Sequence, residues 1–198
     1  MSSRQTILDR LRSRLVDRTE LPSLEGPWIQ FTNPVEAFVN SATFVGAKVI
    51  VCESIDQLRA SIQETLAQLN PKMVVSSAID LVAGTVDTAT IDDPHDLADL
   101  DLVVAWTKLA VAENGAVWLD DRELRQRVIY FITQHMILLV RASEIVHNMH
   151  QAYDRVSIDG GHFGLFLSGP SKTADIEQSL VLGAHGSRTL KVLIARDL

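Results

Sequence analysis

The chain is poor in cysteine: among its 198 residues only Cys52 is one. A disulfide framework is therefore excluded, and so is a thiolate metal site or iron–sulfur cluster held by this chain. Basic residues are outnumbered, 18 Lys and Arg against 25 Asp and Glu, for a net charge of −7. That balance lacks the basic stripe that nucleic acid or an anionic membrane surface needs, so neither is expected as a partner. Arg4, Arg10, Arg12, Arg14 and Arg18 alternate with Asp9, Asp17 and Glu20, as on a solvated helix face. No apolar run approaches the roughly 20 residues that cross a bilayer; "MILLV" at 136–140 has the length of a buried strand. The opening "MSSRQTILDRLRSRLVDR" lacks the apolar core of a signal peptide, and a cytoplasmic protein is expected. There is no GxGxxG, P-loop or GxSxG motif.

What is present is a globular composition, 46% hydrophobic and 22% charged, enough to bury one core. Residues 2–18 read as an amphipathic helix through Ile7, Leu8, Leu11 and Leu15, and "TELPSLEGPWIQFTNP" as an extended loop. "VEAFVNSATFVG" reads as a helix leading into the buried strand "AKVIVCE". "SIDQLRASIQETLAQL" has a capping box in Ser54 and Gln57, with Ile55, Leu58, Ile62, Leu66 and Leu69 on one face. "KMVVSS", "LDLVVAW", "MILLV", "FGLFLS" and "RTLKVLIA" read as further strands, and "ASEIVHNMHQAYDRV" as a helix. Asn114-Gly115 between two apolar runs predicts a hairpin. Near-continuous apolar strands separated by helices predict an α/β fold with a largely parallel, covered sheet. One domain is expected over 1–198, with residues 1–33 as an appendage.

Three segments carry candidate chemistry. In "SGPSKTADIEQS" a strand gives way to what reads as a helix start, with Pro170 at its edge and Ser171 as cap. Free amides there, beyond the carboxyl edge of the sheet, suit a phosphate or carboxylate, with Lys172 and Thr173 adding a charge and a hydroxyl. The plainer reading is a helix cap, with Asp175 and Glu177 complementing the dipole. Glu113, in "AENGAV", is either a solvated turn residue or an aimed carboxylate, basic or nucleophilic. In "LGAHGSR", Gly183 and Gly186 flank His185, a tight turn that admits close backbone approach and a donor or acid–base group. His147 and His150, at i, i+3, have a spacing that permits metal binding but no acid ligand beside them, and no metal is assigned. The aspartates of "DDPHDLADLD" lack the glycine and glutamate of a calcium loop, and Cys52 reads as a core thiol.

Taken together, three of these pieces match one family pattern. "SGPSKTADIE" resembles the G-P-S-x-T-A-D-I-E signature of the LUD-domain proteins, the lactate utilization protein C group. "LGAHGSRTLKVLIA" and "LAVAENGAVWL" are similar to that family's G-V-H-G-P-R-x-L-x-V and A-I-A-E-T-G-T segments, and "MILLVRASEIV" to the strand and helix start between them. The resemblance covers roughly residues 100–195. It implies a fold like that of the NagB, ribose-5-phosphate isomerase and CoA-transferase group, and membership of a system oxidising L-lactate to pyruvate. There the iron–sulfur clusters would sit in cysteine-rich partner subunits, and this chain would be an accessory or substrate-handling subunit with no cofactor of its own. "AENG" is also similar to the E-N-G motif of CoA transferases, which would make Glu113 a nucleophile forming an acyl anhydride and then a CoA thioester. A third reading is a module for a small carboxylate or phosphate lined by Ser171, Thr173 and His185. The oligomeric state is left open, a homo-oligomer included.

Overall fold

A computed structural model describes residues 3–14, 19–122, 124–157, 161–173, 181–182 and 186–196 of the chain. Five parallel strands form the central sheet: β1 (Lys48–Cys52), β2 (Val74–Ser76), β3 (Leu102–Trp106), β6 (His135–Arg141) and β11 (Thr189–Ala195). Their order in space is β1-β11-β6-β3-β2, which puts the first two strands of the chain at opposite edges. Helix α3 (Ile55–Leu69) links those edges. Ser54 caps it by accepting from the Gln57 amide (3.2 Å), while Gln57 Oε1 accepts from the amide of Glu53 (2.7 Å). Asn70 ends it in the left-handed conformation (φ +44°), donating its amide to Leu66 O.

The strands are apolar at nearly every position because both faces of the sheet are covered. Alternation of side chains sends Cys52, Leu102, Val104, Ile137, Leu139, Leu193 and Ala195 toward Leu58 and Ile62 of α3. It sends Val103, Ala105, Met136, Leu138, Val140, Val192 and Ile194 to the other face. There they meet Phe38 and Ala42 of α2 (Pro34–Phe44) and the inner face of a second sheet. That sheet has the order β7-β4-β5-β8: β4 (Ala110–Val111), β5 (Ala116–Asp120), β7 (Ile145–Val146) and β8 (Gly164–Leu167). Helix α5 (Met149–Arg155) covers its outer face, with Ala152 against Val111, Trp118 and Val146. The layers thus run α3, central sheet, second sheet with α2, α5. The short α4 (Ile129–Ile132) precedes β6, and β9 (Lys172–Thr173) pairs antiparallel with β10 (Val181–Leu182). Helix α1 (Ser3–Arg12) buries none of its residues. No helix among the described residues is long and apolar enough to cross a membrane.

Two local expectations are corrected. The helix expected over 142–156 begins only at Met149, after Asn148 caps it by accepting from the Gln151 amide (3.0 Å). Ile145 and Val146 instead pair with Ala110 and Val111, a non-local ladder that suits β-branched residues better than a helix does. The hairpin is present, but Val111 pairs with Ala116 and leaves a four-residue loop. Only Gly115 takes a positive φ (+67°); Asn114 uses its Oδ1 to accept from the Ala116 amide (3.0 Å).

Asp101 fastens the starts of β2 and β3 together. Its Oδ2 accepts from the amides of Met73 (2.9 Å) and Lys72 (2.7 Å), and these bonds, the Met73 amide foremost, hold its pKa below the usual carboxylate value. A folded pKa below the unfolded one means stabilisation that is complete above the unfolded value and lost as pH falls through the folded one. Asp101→Ala is therefore expected to lower stability in urea unfolding at neutral pH and to leave less to lose on acidification below about pH 4.

Candidate functional site

The site is built around the last turn of α2. Gly115 packs so closely on this helix that a Cβ there would stand 2.6 Å from Ala42 Cα, and Ser41 Oγ donates to Ala112 O (2.7 Å). These contacts hold the hairpin turn against α2. Glu113 at its tip is exposed, yet Oε1 accepts from the amide of Met149 (2.9 Å), the first residue of α5. Its own amide donates to His147 O (3.1 Å).

The glycine–proline turn lies alongside. Ser168 Oγ donates to Asn114 O (2.8 Å), which joins the two turns. Gly169 takes φ +80°, and a Cβ on it would stand 2.5 Å from Val45 O, just past the end of α2. Ser171 donates its amide to Ser187 O (2.9 Å) and sits against Gly186, while Lys172 lies over Gly46. Gly169, Ser171, Lys172 and Gly186 are thus brought into one cluster, with Glu113 at its rim. Thr173 has its backbone in β9, opposite Val181. Asp175, Glu177, Gly183 and His185 lie outside the described residues.

The structure corrects two features of this motif. Ser171 does not open a helix, because Lys172 and Thr173 are extended and ladder to β10. The cluster also lies at the amino-terminal edge of the central sheet, beside the residues that enter β1 and β11, and not at the carboxyl edge. The signal of Pro and Ser before acids is local, and the pairing with 181–182 overrides it.

A cleft of about 400 Å³ opens from this cluster toward α3, lined by Lys48, Thr65, His135, Pro170, Arg188 and Lys191. Lys191 is only 9% exposed, and its Nζ donates to Thr65 Oγ1 (2.6 Å) and Ser61 O (3.4 Å). Burial, and then the charge of Lys48, push its pKa down. His135 Nδ1 is 2.8 Å from Thr189 Oγ1, and its pKa is pushed down by burial and then by Arg188. The carboxyl edge carries a wider cleft of about 1210 Å³ with Ser76, Ser77, Asp121, Arg125 and His162. There the charged groups have partners within the protein: Asp121 with His162 (3.3 Å) and the Phe163 amide (3.0 Å), Arg125 with Ala89 O (2.9 Å).

Lys48, His135, Arg188 and Lys191 escaped sequence reasoning. They are far apart in sequence, and only strand register unites them; the lysine interrupting "RTLKVLIA" was the one visible signal. His147 and His150 do not share a helix face. His147 precedes α5 and accepts at Nδ1 from the Phe31 amide (3.0 Å), and His150 stacks on Trp28 at 3.6 Å. Both fasten the loop at 28–31. Among the described residues no three His, Cys, Asp or Glu are placed to hold a metal ion. Cys52 is 1% exposed, with burial foremost in pushing its thiol pKa up, as expected of a core thiol.

The family model described as "LUD domain" matches residues 81–195, more than half of the chain. The chain belongs to the LUD domain family. The matched stretch includes the Glu113 hairpin and the 168–173 and 186–188 turns. A lactate utilization protein C from Geobacillus thermodenitrificans is 34% identical over 100 residues, 48% of this chain and 42% of its own length. A protein of the same name from Deinococcus radiodurans is 33% identical over 115 residues, 55% of this chain and 54% of that one. One from an Exiguobacterium species is 28% identical over 182 residues, 83% and 78% of the two chains. This LUD chain therefore matches less than half the length of the first relative and about half that of the second. The crystal structure of a DUF162 family protein from Deinococcus radiodurans superposes with a TM-score of 0.65 at 20% identity, covering 82% of this chain and 96% of that one. At that identity the likeness shows the fold, and this LUD domain shares it.

Gly115 and Gly169 have both a positive φ and no room for a Cβ. Gly115→Ala and Gly169→Ala are each expected to destabilise the protein by more than about 1 kcal/mol, read as a lower urea midpoint, because alanine at such a conformation is strained.

Proposed function

We propose that this LUD domain serves lactate utilization in the cytoplasm, as an accessory subunit that handles a small carboxylate and meets iron–sulfur partner proteins oxidising L-lactate to pyruvate. Two observations carry the reading: the LUD domain match over residues 81–195 contains the turns of the cluster beside α2, and relatives of 33–34% identity are called lactate utilization protein C. The turn at 169–173 and the Gly186–Arg188 segment would hold the carboxylate, whose charge suits the Lys172 and Arg188 cations collected there. With one cysteine, buried under α3, the chain would leave the clusters and the electron transfer to its partners.

A second reading has one specific support: Glu113 is exposed, and its other carboxylate oxygen is free to attack an acyl group. In that case Glu113 would form an anhydride with the acyl group, releasing CoA as thiolate, and the thiolate would then attack the Glu113 carbonyl to give a CoA thioester, expelling the acyl group as its free carboxylate. The bond from the Met149 amide gives Glu113 a structural task and favours the accessory role.

Affinity purification of the tagged chain from its native cell is expected to bring down cysteine-rich, iron-containing partners with lactate-dependent dye reduction. A solitary, iron-free protein would overturn the accessory reading. Glu113→Gln retains an acceptor for Met149 and should leave that complex and its dye reduction intact, whereas on the acyl-transfer reading it abolishes capture of a CoA adduct.

A further inference from the structure

The cleft beneath α3 holds more positive charge than the protein around it neutralises. Strand register makes Lys48 and Lys191 direct neighbours on β1 and β11, where backbones lie about 4.8 Å apart. Both face α3, in step with Ile50 and Cys52 on β1 and with Leu193 and Ala195 on β11. Like charges so placed destabilise a sheet unless something lies between them. Arg188, one residue before β11, adds a third cation from the rim. Among the described residues none of the three forms an ion pair, although acids exceed bases in the chain as a whole. Lys191 meets only a hydroxyl and a carbonyl, and the nearby charge of Glu64 acts on it without contact. The carboxyl-terminal part of α3 offsets some of this charge through its dipole, but that end carries only about half an elementary charge.

The rest of the lining is specific as well. Leu69, Ile137 and Pro170 give the cleft an apolar floor, and His135 presents its ring beside Arg188. The buried hydroxyl of Ser61, on the residue whose carbonyl takes Lys191, has no partner. A lone carboxylate would leave two of three cations unmatched.

We propose that this cleft binds a phosphate monoester: the dianionic phosphate between Lys48, Lys191 and Arg188, and the organic body on the apolar floor. A compact tetrahedral dianion accepts from donors on three sides at once and relieves the repulsion between the cross-strand lysines. This site shares Arg188 and Pro170 with the proposed carboxylate cluster, but it is argued from the cross-strand lysines and not from the lactate reading, and neither Glu113 nor the hairpin takes part in it.

The test is titration calorimetry of the full chain at low salt with phenyl phosphate, inorganic phosphate, phenylacetate and L-lactate. Phenyl phosphate is expected to bind at least tenfold more tightly than the other three, and more weakly as salt is raised. Lys48 and Arg188 are exposed, so Lys48→Gln and Arg188→Gln should keep the melting temperature while each weakens phenyl phosphate about tenfold or more, the loss of one charge-assisted contact. Glu113→Gln should leave this binding unchanged. Absence of phenyl phosphate binding at millimolar concentration, or binding indifferent to both cation substitutions, would overturn the proposal. Equal affinity for inorganic phosphate would overturn the assignment of an ester.

Discussion

The approach of α2 to two glycines positions everything at the amino-terminal edge of this molecule. Gly115 and Gly169 come from different turns, yet both meet the end of the same helix, at Ala42 in its last turn and at Val45 just past it. Each offers bare backbone where any side chain would push the helix away. With α2 in place, Ser168 can bridge to Asn114, and Ser171 can reach the backbone of Ser187. The helix belongs to the N-terminal part of the chain and the turns to the LUD-matched part, so the cluster is shared between them.

Charge is distributed with the same economy. Among the described residues most acids lie exposed on loops and helices, while Lys48, Arg188 and Lys191 converge on one cleft. At the opposite edge of the sheet the ionic groups largely satisfy one another. The two edges of one sheet thus differ in what they leave unmatched, and among the described residues the amino edge is the one that leaves cations without an ion-pair partner.

Much of the architecture was legible. The strands showed as apolar runs because both faces of the sheet are buried, and α3 declared itself through Ser54, Gln57 and the spacing of Leu58 and Ile62. Local pattern failed where distant pairing decided the outcome. Ile145 and Val146 fit a helical stripe as well as a strand, and Ala110 and Val111 settle the choice. Pro170 and Ser171 before Asp175 look like a helix start, but Lys172 and Thr173 have β-partners ten and eight residues on. The candidate site was legible in its turns, at Gly169, Ser171, Lys172 and Gly186. Its cations were not, since nothing short of register tells that positions 48 and 191 are neighbours.

The strand order has a consequence for how the chain is made. Among the described residues β1 pairs only with β11, the last of the five strands to leave the ribosome. Until then "KVIVC" has no ladder to join, and the sheet can be complete only once Ala195 has been synthesised. Closing a loop of that length before the contacts can form slows folding, and the waiting strand exposes an unpaired edge. Lys48 at the head of β1 puts a charge on that edge, a guard against pairing with the wrong neighbour during the interval.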